Sequence, residues 1–364
     1  MKYDLIVIGA GPAGSSAAIT AAQAGAKVLL LEKGRFPRHK VCGEFVSAES
    51  LGLLSNLLAA EYRPLLREAL RIPKSRVFLD GRILQAEIDP AAASIARFDL
   101  DFALWQSAKQ SGIEAREQVT VQSISSQSTF HVKSSAGEFE SRALINASGR
   151  WSNLTALSAD KRSAEKWIGL KGHFSETNPP NSVDLYFFDG GYCGVERVNL
   201  TDDRSQGRVN ACAMVRADIA SNLSEVFPLN SALQARSGNW QPFIDPVTTS
   251  PLIFRTPTPV RDSVFQVGDA AAFVDPFIGD GISLALRSGA LAAQTLLPFL
   301  SEEISLEQAT ENYRQIYERD LARVFRASSK LRRMLAIPRT VRKPFVFMLE
   351  KNPRITNYLV RKTR

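Results

Sequence analysis

Cysteine is scarce in this sequence, with only Cys42, Cys193 and Cys212 among 364 residues. Their odd number and wide spacing exclude a disulfide framework and argue against a zinc site. Histidine is as rare, at three scattered residues, so no metal cluster is expected. No segment approaches the ~20 consecutive apolar residues that cross a bilayer, and there is no internal repeat or low-complexity tract. The chain opens directly into a strand-like run without a charged leader and cleavage site, so no secretory signal is expected and a cytoplasmic location is the default. The remaining composition, 45% hydrophobic and 23% charged, is that of an ordinary globular protein with a core large enough for two closely connected domains.

Acidic residues almost vanish from one region. Between Leu321 and Arg364 thirteen lysines and arginines face a single acid, Glu350, whereas the body before it is slightly acidic. A basic tail of this kind implies either an anionic partner, such as a membrane surface or an acidic carrier protein, or a solvated helical face. No nucleic-acid partner is expected.

The most informative stretch is Tyr3 to Glu32. Tyr3-Asp4-Leu5-Ile6-Val7-Ile8 reads as a buried parallel strand, and Gly9-Ala10-Gly11-Pro12-Ala13-Gly14 as a turn. Ser15 to Ala24 follows as an alanine-rich helix stopped by Gly25, and Lys27 to Leu31 is a second buried strand with Glu32 at its carboxyl end. This is the dinucleotide fingerprint. Gly9 permits the tight turn, Gly11 lets a pyrophosphate approach the backbone, and Gly14 lets helix and strand pack closely. The helix N-terminus offers unpaired N–H groups to phosphate, and Glu32 is the acceptor for an adenosine ribose. The stretch does not by itself distinguish NAD from FAD.

Next comes a basic loop containing Lys33, Arg38, His39 and Lys40, suited to neutralising phosphate, with Cys42 and Gly43 at its end. Helices are expected over 47–58 and 61–70, and a hairpin over 76–88 turning at Asp80-Gly81. Arg97 to Asp101 opens a helix running to about Gly112, and a three-stranded meander follows over 119–145. That meander ends in Asn146-Ala147-Ser148-Gly149-Arg150, a second glycine turn at a strand end. Alternating runs at 167–174, 183–188, 191–198 and 209–215 predict an antiparallel sheet. A buried strand then leads into Gly268-Asp269, and Asp275-Pro276-Phe277-Ile278-Gly279-Asp280-Gly281 leads into a helix over 282–300. Further helices are expected over 306–335, breaking at Pro338. Asp269 suits a ribityl hydroxyl. The helix N-terminus at Gly281 and Ile282 would stabilise negative charge on a reduced flavin.

Four stations in order, Gly9 to Gly14 with Glu32, the Arg38 to Gly43 loop, Arg97 with Asp101, and Gly268-Asp269 with Asp275 to Gly281, resemble the FAD-dependent oxidoreductases of the p-hydroxybenzoate hydroxylase fold. Within that family the chain is most similar to the branch of geranylgeranyl reductases and related tailoring flavoproteins. The resemblance implies an α/β protein with a Rossmann-like FAD-binding domain of the glutathione reductase type over residues 1–75, 96–165 and 256–300. An inserted antiparallel substrate sheet would occupy 76–95 and 166–255, and a helical basic tail 301–364. It further implies FAD held by Gly9, Gly11, Pro12, Ala13, Gly14, Glu32, Lys33, Arg38, Cys42, Gly43, Arg97, Gly149, Asp269, Pro276, Gly279, Asp280, Gly281 and Ile282. NADH or NADPH would be a transient electron donor.

The implied activity is hydroxylation or epoxidation, or C=C reduction, of an apolar polyketide- or isoprenoid-like molecule. Prenyl reductases of the branch carry Tyr-x-Trp-x-Phe-Pro where this chain has Tyr192-Cys193-Gly194-Val195-Glu196-Arg197, and the Trp-x-Trp-x-Ile-Pro segment of flavin halogenases is missing. The other readings are a non-catalytic carrier on the same fold, an NAD-only dehydrogenase and, least favoured, a halogenase. Candidates for substrate chemistry are Tyr192 and Cys193 in the sheet, with Lys40 and Cys42 in the basic loop. No side chain stands out as an acid or base.

Overall fold

A computed structural model describes residues 2–150, 154, 166–199, 207–335, 337–352, 354, 355 and 357. Two sheets organise it. In the eight-stranded first sheet the strands Val264–Gln266, Gly137–Asn146, Lys2–Ile8, Val28–Leu31 and Glu114–Arg116 lie side by side and parallel. Val260–Arg261 lies antiparallel at one edge, and Val121–Ser126 and Phe130–Ser134 fold onto Gly137–Asn146 as the expected meander. The central strands are apolar on both faces because both are covered. Their register places Ile8 opposite both Leu31 and Asn146, and Asn146 opposite Gln266. The strands therefore end level, and the residues that follow them (Gly9, Glu32, Ala147 and Val267) meet along one edge.

The helix Pro12–Gln23 starts immediately past that edge. Gly11 is its extended N-cap and Pro12 its first residue, a position where the missing N–H costs nothing. It begins earlier than the alanine pattern suggested. Its small side chains allow close packing against the long helix Gly281–Leu300: a Cβ on Gly289 would stand 2.1 Å from the Ala13 carbonyl oxygen.

The second sheet has nine strands in the order Gln241–Pro242, Trp167–Ser175, Arg208–Arg216, Gly191–Arg197, Val183–Phe188, Leu70–Leu79, Arg82–Ser94 and Phe45–Val46, with Val247–Thr249 also on Trp167–Ser175. Two features differ from the sequence reading. The hairpin is longer than 76–88, so the sheet takes in residues from Leu70 onward. Val183–Phe188 joins Leu70–Leu79 in parallel, which makes the sheet mixed. The turn itself is as expected, Asp80 and Gly81 both taking positive φ, at 56° and 80°. The 47–58 and 61–70 segments form shorter helices, Leu51–Leu57 and Pro64–Arg67.

Alternation along the strands sorts the second sheet into two faces. Cys193, Val195, Val209, Ala211 and Ala213 pack under Leu223, Val226, Leu233 and Trp240. Tyr192, Gly194, Glu196 and Cys212 turn the other way, toward the first sheet's helices and loops.

The C-terminal segment is helical and packed onto the body. Leu306–Asp320 lies against Gly281–Leu300, with the Tyr313 hydroxyl donating to the Gln266 carbonyl at 3.0 Å. Ala322–Leu335 follows, and beyond Pro338 the chain resumes as Arg339–Lys351, a helix not anticipated as a separate element. That last helix caps the hairpin. Val346 and Leu349 pack on Leu79 and Leu84, and Arg342 grips the buried Asp80 with two hydrogen bonds of 2.7 and 2.9 Å. Arg361, Lys362 and Arg364 lie outside the described residues.

Candidate active site

The level strand ends assemble the fingerprint. A Cβ on Gly9, which has φ of 97°, would meet the Ala147 carbonyl oxygen at 2.4 Å, and one on Gly14 would meet the Gly9 carbonyl oxygen at 1.7 Å. Neither position accepts a larger residue. Gly11 has nothing within 4 Å of its Cβ position and so leaves open space against uncapped helical N–H groups, the arrangement that admits a pyrophosphate. Pro12, Ala13 and Gly14 form the first turn behind it.

Glu32 is buried at the end of its strand. Its Oε2 accepts the Ala10 N–H at 2.9 Å, and its Oε1 accepts the Gly34 N–H at 2.7 Å and lies 2.9 Å from Arg38 Nη2. The acid thus shapes the turn. Arg38 lies over the Phe36 ring, and its Nε and Nη1 are buried without a partner. A guanidinium with two unused buried donors beside a glycine turn fits an anionic or hydroxyl-rich ligand such as the ADP half of FAD. Lys33 and Lys40 are exposed at the same edge.

At the far end of the edge, Gly149 has φ of 77° and Arg150 reaches to 3.6 Å from the half-exposed Asp269. The loop after it is pinned from both sides. Ser47 donates its hydroxyl to Asp280 at 2.7 Å and its N–H to Ser283 Oγ at 3.1 Å. Ser328 on the tail helix donates to Asp275 at 2.7 Å, with Arg332 at 3.4 Å from the same carboxylate. Burial pushes the Asp275 carboxyl up, against the opposing pull of Ser328 and Arg332. Gly279 takes the left-handed φ of 77° that turns the chain into the Gly281 helix, whose next residue, Ile282, is buried.

Between this loop and the second sheet lies a cavity of about 450 Å³, within the usual range for a small-molecule site. Its walls are mostly apolar. Gly43, Phe45, Pro276 and Gly279 line one side, the sheet supplies Leu185, Phe187, Tyr192 and Gly194, and the tail helices close it with Leu331, Met334, Phe345 and Val346. Tyr192 stands edge-on to Phe277 with ring centres 5.9 Å apart, and burial pushes its phenol well above the usual range.

The other candidates for substrate chemistry sit elsewhere. Cys193 faces the opposite side of the sheet, and burial pushes its thiol up to about 12. Lys40 is not among the cavity-lining residues. Cys42 Sγ accepts the Glu44 N–H at 3.3 Å, and burial raises the thiol, so its nucleophilic thiolate form is disfavoured. Arg97 spends its guanidinium on a two-pronged pair with Asp101, both distances 2.6 Å.

Sequence reasoning missed the buried charge centre beside the cavity. Glu44, Lys171 and His173 are fully buried. Glu44 pairs with the Lys171 ammonium, meets His173 Nε2 at 2.8 Å, and accepts the Arg97 N–H at 2.8 Å. Burial alone would raise the Glu44 carboxyl, but Lys171 and His173 overcome it and hold the group down at about 2. Lys171 and His173 sit on the inner face of Trp167–Ser175, and only the strand's alternation marks them.

The sequence pattern of one family, described as pyridine nucleotide-disulphide oxidoreductase, matches residues 3–197. The chain is 25% identical to digeranylgeranylglycerophospholipid reductase 2 of Methanopyrus kandleri, covering 91% of this chain and 86% of that one. It is 27% identical to tryptophan 2-halogenase of Chondromyces crocatus, covering 86% of this chain and 65% of the relative. A geranylgeranyl bacteriochlorophyll reductase-like structure from Thermoplasma acidophilum shares the fold, with a TM-score of 0.79 at 20% identity over 100% of this chain and 95% of that one.

Proposed function

The chain belongs to the pyridine nucleotide-disulphide oxidoreductase family, and on that footing we propose that it is an FAD-dependent reductase of C=C bonds in an apolar isoprenoid- or polyketide-like molecule, with NADH or NADPH as electron donor. The observation that carries the reading is the apolar cavity that runs from Gly43 and Gly279 to the underside of the tail helices. Gly9, Gly11, Gly14, Glu32 and Arg38 would hold the ADP half of FAD. Asp269, Arg150 and the Pro276–Gly281 loop would hold its flavin half. The bound cofactor supplies the hydride chemistry. The protein's own part is to orient an apolar molecule against Pro276 to Gly279 and to exclude water behind Phe45, Leu185 and Leu331.

The test is anaerobic reduction of the purified FAD-loaded protein by NADH and by NADPH, followed by addition of unsaturated isoprenoids. The expected result is return of the oxidised flavin spectrum without oxygen and a product heavier by H₂. Reoxidation that waits for oxygen and adds an oxygen atom to the product overturns reduction in favour of monooxygenation. A protein that purifies colourless and does not take up FAD overturns both.

Such a substrate would reach the cavity from a membrane surface. The inner side of Arg339–Lys351 carries Arg342, Val346 and Leu349, whereas Val341 is 65% exposed and Phe347 and Met348 are exposed beside Lys343 and Lys351. Apolar side chains flanked by lysines suit the surface of an anionic membrane.

A further inference from the structure

Resting on the reading of the cavity as a substrate site, we infer that Glu196 is the hydrogen-bond donor that fixes a carbonyl oxygen of an otherwise apolar ligand, so that the substrate class is an isoprenoid or polyketide ketone, enone or quinone. Glu196 is 2% exposed and lines the cavity, as do Gly43, Phe45 and Gly279. Only one of its oxygens is used: Oε1 accepts the Ser94 hydroxyl at 3.0 Å, while Oε2 is buried without a partner. A buried polar atom left in this way marks the place of a missing partner.

The surroundings determine which partner. Directly across the sheet from Glu196 is Asn210, and across from Asn210 is His173. Asn210 gives its amide N–H to the Cys42 carbonyl at 3.0 Å, and His173 Nε2 is held by Glu44. Asn210 Oδ1 and His173 Nδ1 have no partner, so one polar row crosses the sheet and only its Glu196 end opens into the cavity. Burial pushes the Glu196 carboxyl well above the carboxylate range. The Ser94 hydrogen bond and Lys171 pull it down, whereas the Glu44 charge pushes it further up. A neutral carboxylic acid has one O–H to donate. A hydrocarbon or an isolated C=C bond offers no acceptor for it, and a carbonyl oxygen does.

The experiment is titration calorimetry of the oxidised FAD-loaded protein with an isoprenoid enone and with the isoprenoid hydrocarbon of equal length. The wild type is expected to bind the enone roughly tenfold more tightly, the worth of one net hydrogen bond. Glu196→Ala should remove that preference while still binding the hydrocarbon, and Glu196→Gln, which keeps an N–H donor and the side-chain shape, should retain part of it. The infrared band of a protonated carboxyl should shift when the enone binds and be lost in Glu196→Gln. Equal affinity for both ligands in the wild type, or an enone preference that survives Glu196→Ala, overturns the inference and leaves the cavity as a purely apolar site with Glu196 serving the polar row. Failure of the wild type to bind either ligand overturns the reading of the cavity itself and this inference with it.

Discussion

Replacing Lys171 by methionine keeps the stem of the side chain and removes its charge, which isolates what the buried centre contributes. Glu44 would retain His173 and the Arg97 N–H but lose the ammonium against which it is buried. Its carboxyl lies at about 2 in the folded protein against an ordinary 4.5, and that difference corresponds to roughly 3 kcal/mol of folding stability at neutral pH. Breaking a buried pair from one side typically costs about 3–5 kcal/mol, so the two routes agree. The folded value lies below the unfolded one. Glu44 therefore contributes fully above its ordinary 4.5, and the contribution is lost as pH falls toward 2.

Urea unfolding followed by tryptophan fluorescence across this range should show Lys171→Met weaker by about 3 kcal/mol near neutral pH, with the deficit shrinking as the wild type loses its own advantage in acid. The double variant Glu44→Gln with Lys171→Met should recover part of the loss, because no charge is then left unpaired. A deficit below about 1 kcal/mol, or one of equal size at neutral and acid pH, would refute the reasoning.

Gly289→Ala puts a methyl where the Ala13 carbonyl oxygen stands at 2.1 Å. Parting the two helices should cost about 1–3 kcal/mol and speed FAD loss, read as the rise of free-flavin fluorescence. Gly194→Trp starts from ordinary contacts, the nearest atom being Leu185 Cδ2 at 3.4 Å, so the variant should fold with an unchanged circular dichroism spectrum while losing most affinity for long apolar ligands in calorimetry. Arg342→Met leaves the buried Asp80 carboxylate with Arg339 alone, at 3.5 Å, and limited proteolysis should then cut near Pro338 faster than in the wild type. Val341→Asp with Met348→Asp should reduce sedimentation with anionic vesicles several-fold and leave flavin content unchanged. Equal sedimentation of variant and wild type would remove the membrane from the proposal.

The first sheet was legible because its signals are local and agree with one another. A buried run, a glycine turn, a thin helix and a terminal acid each have few alternative structures, and together they fixed the strand ends on which Gly9, Glu32, Gly149 and Asp269 sit. The Asp80-Gly81 hairpin was equally legible from its turn residues. The substrate side was not. The parallel joint between Val183–Phe188 and Leu70–Leu79 links strands about a hundred residues apart, and nothing within either strand encodes it. Glu44 does not stand out in the sequence, where a lone acid after a basic loop reads as surface. Its burial depends on Lys171 and His173, which come from the other sheet. Glu196 was read only as a departure from a family pattern, although the alternation Tyr192, Gly194, Glu196 already placed it on the same face as Tyr192.

The basic C-terminal segment joins these two halves. Its charge has two destinations. Arg342 is spent on Asp80 and Arg332 on Asp275, contacts that draw Arg339–Lys351 onto the hairpin and Ala322–Leu335 onto the loop at Pro276. Those same helices supply Leu331, Met334, Phe345 and Val346 to the cavity wall. Net charge measures neither role, because the inward arginines are neutralised by buried acids, whereas Lys343 and Lys351 are exposed to an outside surface. The loop that begins at Asp275 is therefore held from one side by Ser47 and from the other by the tail. A change that loosens Arg339–Lys351 should disturb the cavity before it disturbs the fingerprint, since Gly9 to Glu32 is held by the first sheet and by the helix Gly281–Leu300.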